Sequence, residues 1–219
     1  MGENDVNAGT DVDPDTHIEA DSDAGATDIP HAAWPVGLRG ATESIVTTLG
    51  PNDRWNVAAL GLFAGAPVTA RTWGRTRTWR NFTERGGGYI QFSVDPADFV
   101  DAACSIRETD DPLLASANAW AKIEVESIDR GSEGDTQWVD WALTPVESAV
   151  ERETVPTTNR GYYAVIEATV AASRLDVPGY DSGVLRDRIE YFGSVVERCG
   201  GPREQAAFER FLEHTGLDI

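Results

Sequence analysis

ESIVTTLGPNDRWNVAALGLFAGAPVTARTW, Glu43 to Trp73, decides the fold class of this chain. ESIVTTL alternates and is rich in β-branched residues, which predicts a strand. Pro51-Asn52-Asp53 is turn chemistry. WNVAALGLFAG, Trp55 to Gly65, predicts a second strand, buried on both faces in its middle. Gly65-Ala66-Pro67 turns the chain into a third, Val68 to Trp73. Short strands joined by turns favour a barrel or sandwich over a parallel α/β sheet.

Outward from this stretch the pattern continues. Asn81 to Gly88 reads as a loop ending in three glycines, and YIQFSV, Tyr89 to Val94, alternates again. Asp95-Pro96 predicts an N-cap with proline at the first helical position, opening a helix to about Cys104. Thr109 to Leu114 reads as a loop. Ala119 to Ile128 predicts a strand with Ala121, Ile123 and Val125 inward and Lys122, Glu124 and Glu126 solvated. Gly131 to Asp135 is the turn to its partner, Thr136 to Val146. Beyond Glu153 the period becomes helical. Thr157 or Thr158 caps a helix from Asn159 to Leu175, broken by Pro178-Gly179. Val184 to Cys199 and Arg203 to Thr215 follow as two more. The chain therefore divides into an acidic tail at 1–30, a β-rich domain at 31–153 and a helical segment at 154–219. The tail has no Lys, Arg or aromatic residue, and its composition predicts disorder.

The 219 residues carry a net charge of −19, which argues against nucleic acid and anionic membranes as partners. Lys122 is the one lysine among 18 basic residues, a composition expected of a protein kept soluble in high salt. No run of 18 apolar residues and no signal-peptide layout occurs, so the expected location is cytoplasmic. Cys104 and Cys199, far apart and outside any C-x-x-C pattern, read as free buried thiols.

Against that charge, residues 54–83 contain no acid at all. The window holds Arg54, Arg71, Arg75, Arg77 and Arg80, densest in VTARTWGRTRTWRN with Thr69, Thr72, Thr76 and Thr78 interspersed. Arginine forks and threonine hydroxyls combine charge, bidentate donors and short neutral donors, the chemistry that grips a phosphate. A second reading pairs these arginines with Asp and Glu elsewhere. Exposed ion pairs contribute only ~0–1 kcal/mol each, so they constrain sequence weakly and leave the clean window unexplained. In the second strand, Ala58, Ala59 and Gly61 are small enough to let a flat ring approach the backbone, although a tightly packed core strand has the same composition. Tyr162 and Tyr163 read as anchors of a helix on the barrel, with covering of a ligand as the alternative.

Acid–base machinery is scarce. His17 and His31 belong to the tail region, which leaves His214, so a Ser-His-Asp triad or Cys-His pair is not expected. No P-loop, G-x-G-x-x-G, G-x-S-x-G or H-E-x-x-H is present, and no metal set stands out. Chemistry here would be a cofactor's, with no catalytic side chain to name.

ESIVTTL, WNVAALGLFAG, VTARTWGRTRTWRN, YIQFSVDPADFVDAA and the later NRGYYAVIEATVAASRL resemble an archaeal family of FMN-binding split-barrel proteins, a domain of unknown function (DUF447). The likeness spans about Trp34 to Leu217. It implies an α+β fold: a six-stranded split β-barrel of the flavin reductase or pyridoxamine-phosphate-oxidase kind with a C-terminal helical appendage. It also implies a homodimer with FMN near the dimer interface. By that likeness, the strand around Asn56, Ala58, Ala59 and Gly61 would face the isoalloxazine. Arg71, Thr72, Arg75, Thr76, Thr78 and Asn81 would hold the ribityl phosphate. The expected activity is flavin-dependent oxidoreduction of an unknown substrate. The alternatives are a module that holds flavin or another phosphorylated metabolite without turnover, and a dimeric structural protein whose arginines only pair with acids.

Overall fold

The computed structural model describes residues 33–219 except 176 and 178. The expected disordered tail, His17, His31 and the Pro178 break lie outside the described residues. Seven strands and five helices follow in the order β1 (Ala41–Leu49), β2 (Trp55–Phe63), β3 (Val68–Trp73), α1 (Arg77–Arg85), β4 (Gly87–Ser93), α2 (Pro96–Cys104), β5 (Arg107–Thr109), β6 (Ala117–Glu133), β7 (Thr136–Val150), α3 (Arg160–Ala172), α4 (Ser182–Cys199) and α5 (Pro202–Thr215).

All strand pairings are antiparallel. The order β1-β4-β6-β7-β3-β2 closes on itself through the β1–β2 hairpin, which gives the expected six-stranded barrel. β5 adds to the near half of β2, opposite Trp55 to Val57, while β3 pairs only with Leu62 and Phe63 at its far end. The apolar interior follows from alternation. Val46, Leu60, Leu62, Val68, Ala70, Ile90, Ala121, Ile123, Trp141 and Leu143 all point inward and form one core with Phe82. Each fully buried Val, Leu, Ile or Phe side chain among them contributes about 1.5–3 kcal/mol.

Two further cores attach the helices. Ile45 and Val57 on the outer barrel face pack with Phe99 and Ala102 of α2 and with Leu114. Val100, on the opposite side of α2, enters the core of α3, α4 and α5 around Val165, Ile189 and Phe211. α2 is thus the main joint between barrel and helical segment, and Ile166 of α3 joins the same contact. Asp95 caps α2, accepting from Ala97 N–H at 2.9 Å. Tyr162 donates to the Ser93 carbonyl at 3.3 Å, anchoring α3 to the end of β4.

Three expectations need correction. Residues 77–85 form a helix that takes in the start of the loop expected from Asn81. The β6–β7 hairpin is longer than expected and turns at Gly134-Asp135. Asn159, not Thr157 or Thr158, caps α3, which ends at Ala172. The three glycines at the start of β4 have separate reasons. Gly86 is the left-handed C-cap of α1 at φ 70°. A Cβ on Gly87 or Gly88 would lie 2.3 Å from the Ile123 carbonyl or 2.5 Å from that of Thr47.

Candidate functional site

The arginine window folds into β3, a turn at Gly74 (φ 64°) and the first turn of α1. Alternation holds through β3: Val68, Ala70 and Thr72 are buried, whereas Thr69, Arg71 and Trp73 face outward. The turn is tied to β7 by the Gly74 N–H, which donates to the Gln137 carbonyl at 2.7 Å. Thr76 then starts α1, its hydroxyl accepting from the Trp79 N–H at 3.2 Å. α1 lies over one end of the barrel. Phe82 enters the barrel core edge-on to Trp141, with ring centroids 5.4 Å apart. Asn81 donates to Thr48 Oγ1 at 2.9 Å.

This placement separates the residues by task. Arg71 makes a bidentate pair with Asp140, at 2.6 and 2.7 Å, and its guanidinium lies 4.0 Å from the Trp138 ring centroid. Arg54 meets Asp110 at 2.8 Å and Arg77 meets Glu108 at 2.9 Å. Arg80 donates to Asn81 Oδ1. Arg75 is exposed and forms no ion pair among the described residues; its guanidinium lies 5.9 Å from the Trp79 ring. Three arginines thus do what the second reading expected, and Arg75 and Arg80 do not. Thr72 accepts from the Trp141 indole N–H at 2.9 Å. Thr78 and Asn81 lie on the buried face of α1.

The candidate ring-binding strand does not present one face. Asn56 and Ala58 share the inward parity of Leu60 and Leu62. Ala59 points outward and is covered by the core shared with α2 and with Ile166 of α3. Gly61, also outward, lies opposite Glu43, whose carboxylate burial pushes up in pKa. A flat ring cannot rest on both faces of β2.

What remains is compact: Arg75, exposed, beside the positive end of a nine-residue helix with no acid in its first turn. The backbone N–H groups of Arg77 and Thr78 have no acceptor within the helix, and the helix dipole adds partial positive charge. That donor set fits a phosphate dianion. Sequence reasoning missed Glu108, which β5 brings to the first turn of α1 from 31 residues along the chain. Clefts of about 400 and 530 Å³ open elsewhere, at the start of α3 beside Cys199 and between α4 and α5. Neither is lined by an arginine of the window. Among the described residues no cluster of His, Cys, Asp and Glu is arranged for a metal. No helix there is long and apolar enough to cross a membrane.

The FMN-bound protein MM1853 from Methanosarcina mazei, a member of DUF447, has a solved structure similar to this one. The TM-score is 0.68 at 25% identity, over 81% of this chain and 96% of that protein. The styrene monooxygenase flavin reductase of Pseudomonas putida S12 matches over 51% of this chain and 81% of its own, at 16% identity and TM-score 0.37. Flavoredoxin from Methanosarcina acetivorans matches over 57% and 79%, at 9% identity and TM-score 0.37. Likenesses as low as these last two decide nothing about function. The model described as "Protein of unknown function (DUF447) N-terminal domain" matches residues 42–152, and that described as "Protein of unknown function (DUF447)" matches 159–213. The first spans just over half of the chain by itself, and the chain belongs to the DUF447 family.

Proposed function

We propose that this protein binds FMN, with the phosphate held by Arg75 and the first-turn N–H groups of α1. One observation carries the reading. The chain is similar over 81% of its length to an FMN-bound member of its family, and within that shared fold Arg75 stands exposed at a helix N-terminus with no ion-pair partner among the described residues. Bound FMN would supply hydride transfer at its N5, and the protein would contribute position and electrostatics. Flavin-dependent oxidoreduction is the activity this supports best. A flavin module without turnover is the second reading. It is favoured by the sole histidine among the described residues, His214, being held by Asp101 at 2.9 Å in a carboxylate also bound by Arg210.

Arg75, Thr76 and Arg77 are exposed on a single chain, and neither cleft adjoins them. A flavin bound there needs a second wall. We therefore propose a homodimer in which a second copy supplies it.

Charge-assisted hydrogen bonds contribute roughly 1.5–3 kcal/mol. Arg75→Ala is therefore expected to weaken FMN binding about 10- to 100-fold, measured by quenching of flavin fluorescence. Its far-UV circular dichroism is expected to match the parent's, because the side chain is exposed. Unchanged FMN affinity would remove Arg75 from the site.

A further inference from the structure

We infer that Glu108 is a built-in competitor for the phosphate site, lowering its affinity by holding Arg77. The inference rests on the FMN reading above and concerns the regulation of that same site. Arg77 is the first residue of α1, so its side chain starts beside the proposed phosphate position. Its guanidinium donates to Glu108 Oε1 at 2.9 Å. Glu108 Oε2 in turn accepts from Asn52 Nδ2 at 3.1 Å and lies 3.8 Å from Arg54 Nε. α1 has no acid in its own first turn, and Glu108 reaches it from β5, which pairs with the start of β2.

Two ion pairs flank the site, and the geometry distinguishes them. Arg71–Asp140 is bidentate and is stacked on Trp138, which fixes the guanidinium on both sides. Arg77–Glu108 rests on one contact, between side chains 41% and 29% exposed. Exposed single-contact pairs are weak, and a dianion carries more charge than one carboxylate. Arg77 is therefore the arginine that an arriving phosphate can recruit, and Glu108 is what it must displace. Asn52 and Arg54 keep the carboxylate in place after Arg77 leaves, so the opposing charge stays nearby.

Glu108→Gln keeps an acceptor for Asn52 and removes the charge. Kd values for FMN and for riboflavin, which lacks the phosphate, are measured by fluorescence quenching on parent and variant. The expected result is FMN binding about two- to fivefold tighter in the variant, with riboflavin affinity unchanged. FMN affinity unchanged or weaker in the variant, with parent binding intact, overturns the inference and leaves the FMN reading standing. Riboflavin tightening by the same factor also overturns it, because the effect would not act through the phosphate. A parent protein that binds no FMN overturns both.

Discussion

Residues of one chemical type do different work here, and their surroundings decide which. Arg71 is a structural fork, locked between Asp140 and Trp138; Arg75 has neither partner. The two thiols divide in the same way. Burial, with the Asp101 charge nearby, pushes the Cys104 thiol up to about 11. Thiolate is the reactive form, so Cys104 is expected to resist alkylation at mildly alkaline pH. Cys199 lines the open cleft at the start of α3. Iodoacetamide is accordingly expected to label Cys199 first, read by peptide mass spectrometry. Labelling of Cys104 at an equal rate in the folded protein would contradict the burial assigned to it. The arginine window was legible as an island of charge. Its partners were not, because Asp140 lies 69 residues from Arg71 and Glu108 lies 31 from Arg77, and only the folded sheet brings them together.

Elements were legible where their period was clean. β1 to β4, α2, α4 and α5 fall near their expected places because strand alternation, helical apolar spacing or, for α2, a capping aspartate followed by proline marks them. α1 escaped because RTWRNFTER offers only Trp79 and Phe82 as apolar residues, and R-T-R-T imitates strand alternation. Its stability is tertiary, set by Phe82 in the barrel end. The junction of α2, β5 and α5 was equally invisible, being a cluster of charges. Asp98 and Asp101 of α2 face Arg107 of β5 and Arg210 and His214 of α5. Burial alone raises the pKa of Asp98, but Ser116, Arg107 and Arg210 outweigh it and hold the carboxyl below its ordinary 3.8. A depressed carboxylate stabilises the fold above its unfolded pKa, and that contribution is lost as pH falls through the folded value. Urea unfolding is therefore expected to show Asp98→Asn losing less stability than the parent between about pH 5 and about pH 2. An identical loss in both proteins would show that Asp98 does not carry this contribution.

At the scale of the whole molecule, a closed barrel joins a helical segment through α2 and α3, and a chain of net charge −19 exposes the cationic turn at Arg75. The barrel class follows from the short alternating strands, whereas its closure depends on pairings such as β3–β7 that no local pattern encodes. The small residues of β2 were the least informative signal. Ala58 packs inward and Ala59 meets α2 and α3, so packing alone accounts for their small size. On the function proposed above, the site left open on one chain is completed by a second copy. The direct measurement is a visible absorption spectrum of the purified protein mixed with equimolar FMN and passed through a sizing column. The account predicts that the flavin bands travel with protein at the dimer's elution position, close to one FMN per chain. A colourless protein peak, with all the flavin in the small-molecule fraction, would contradict it.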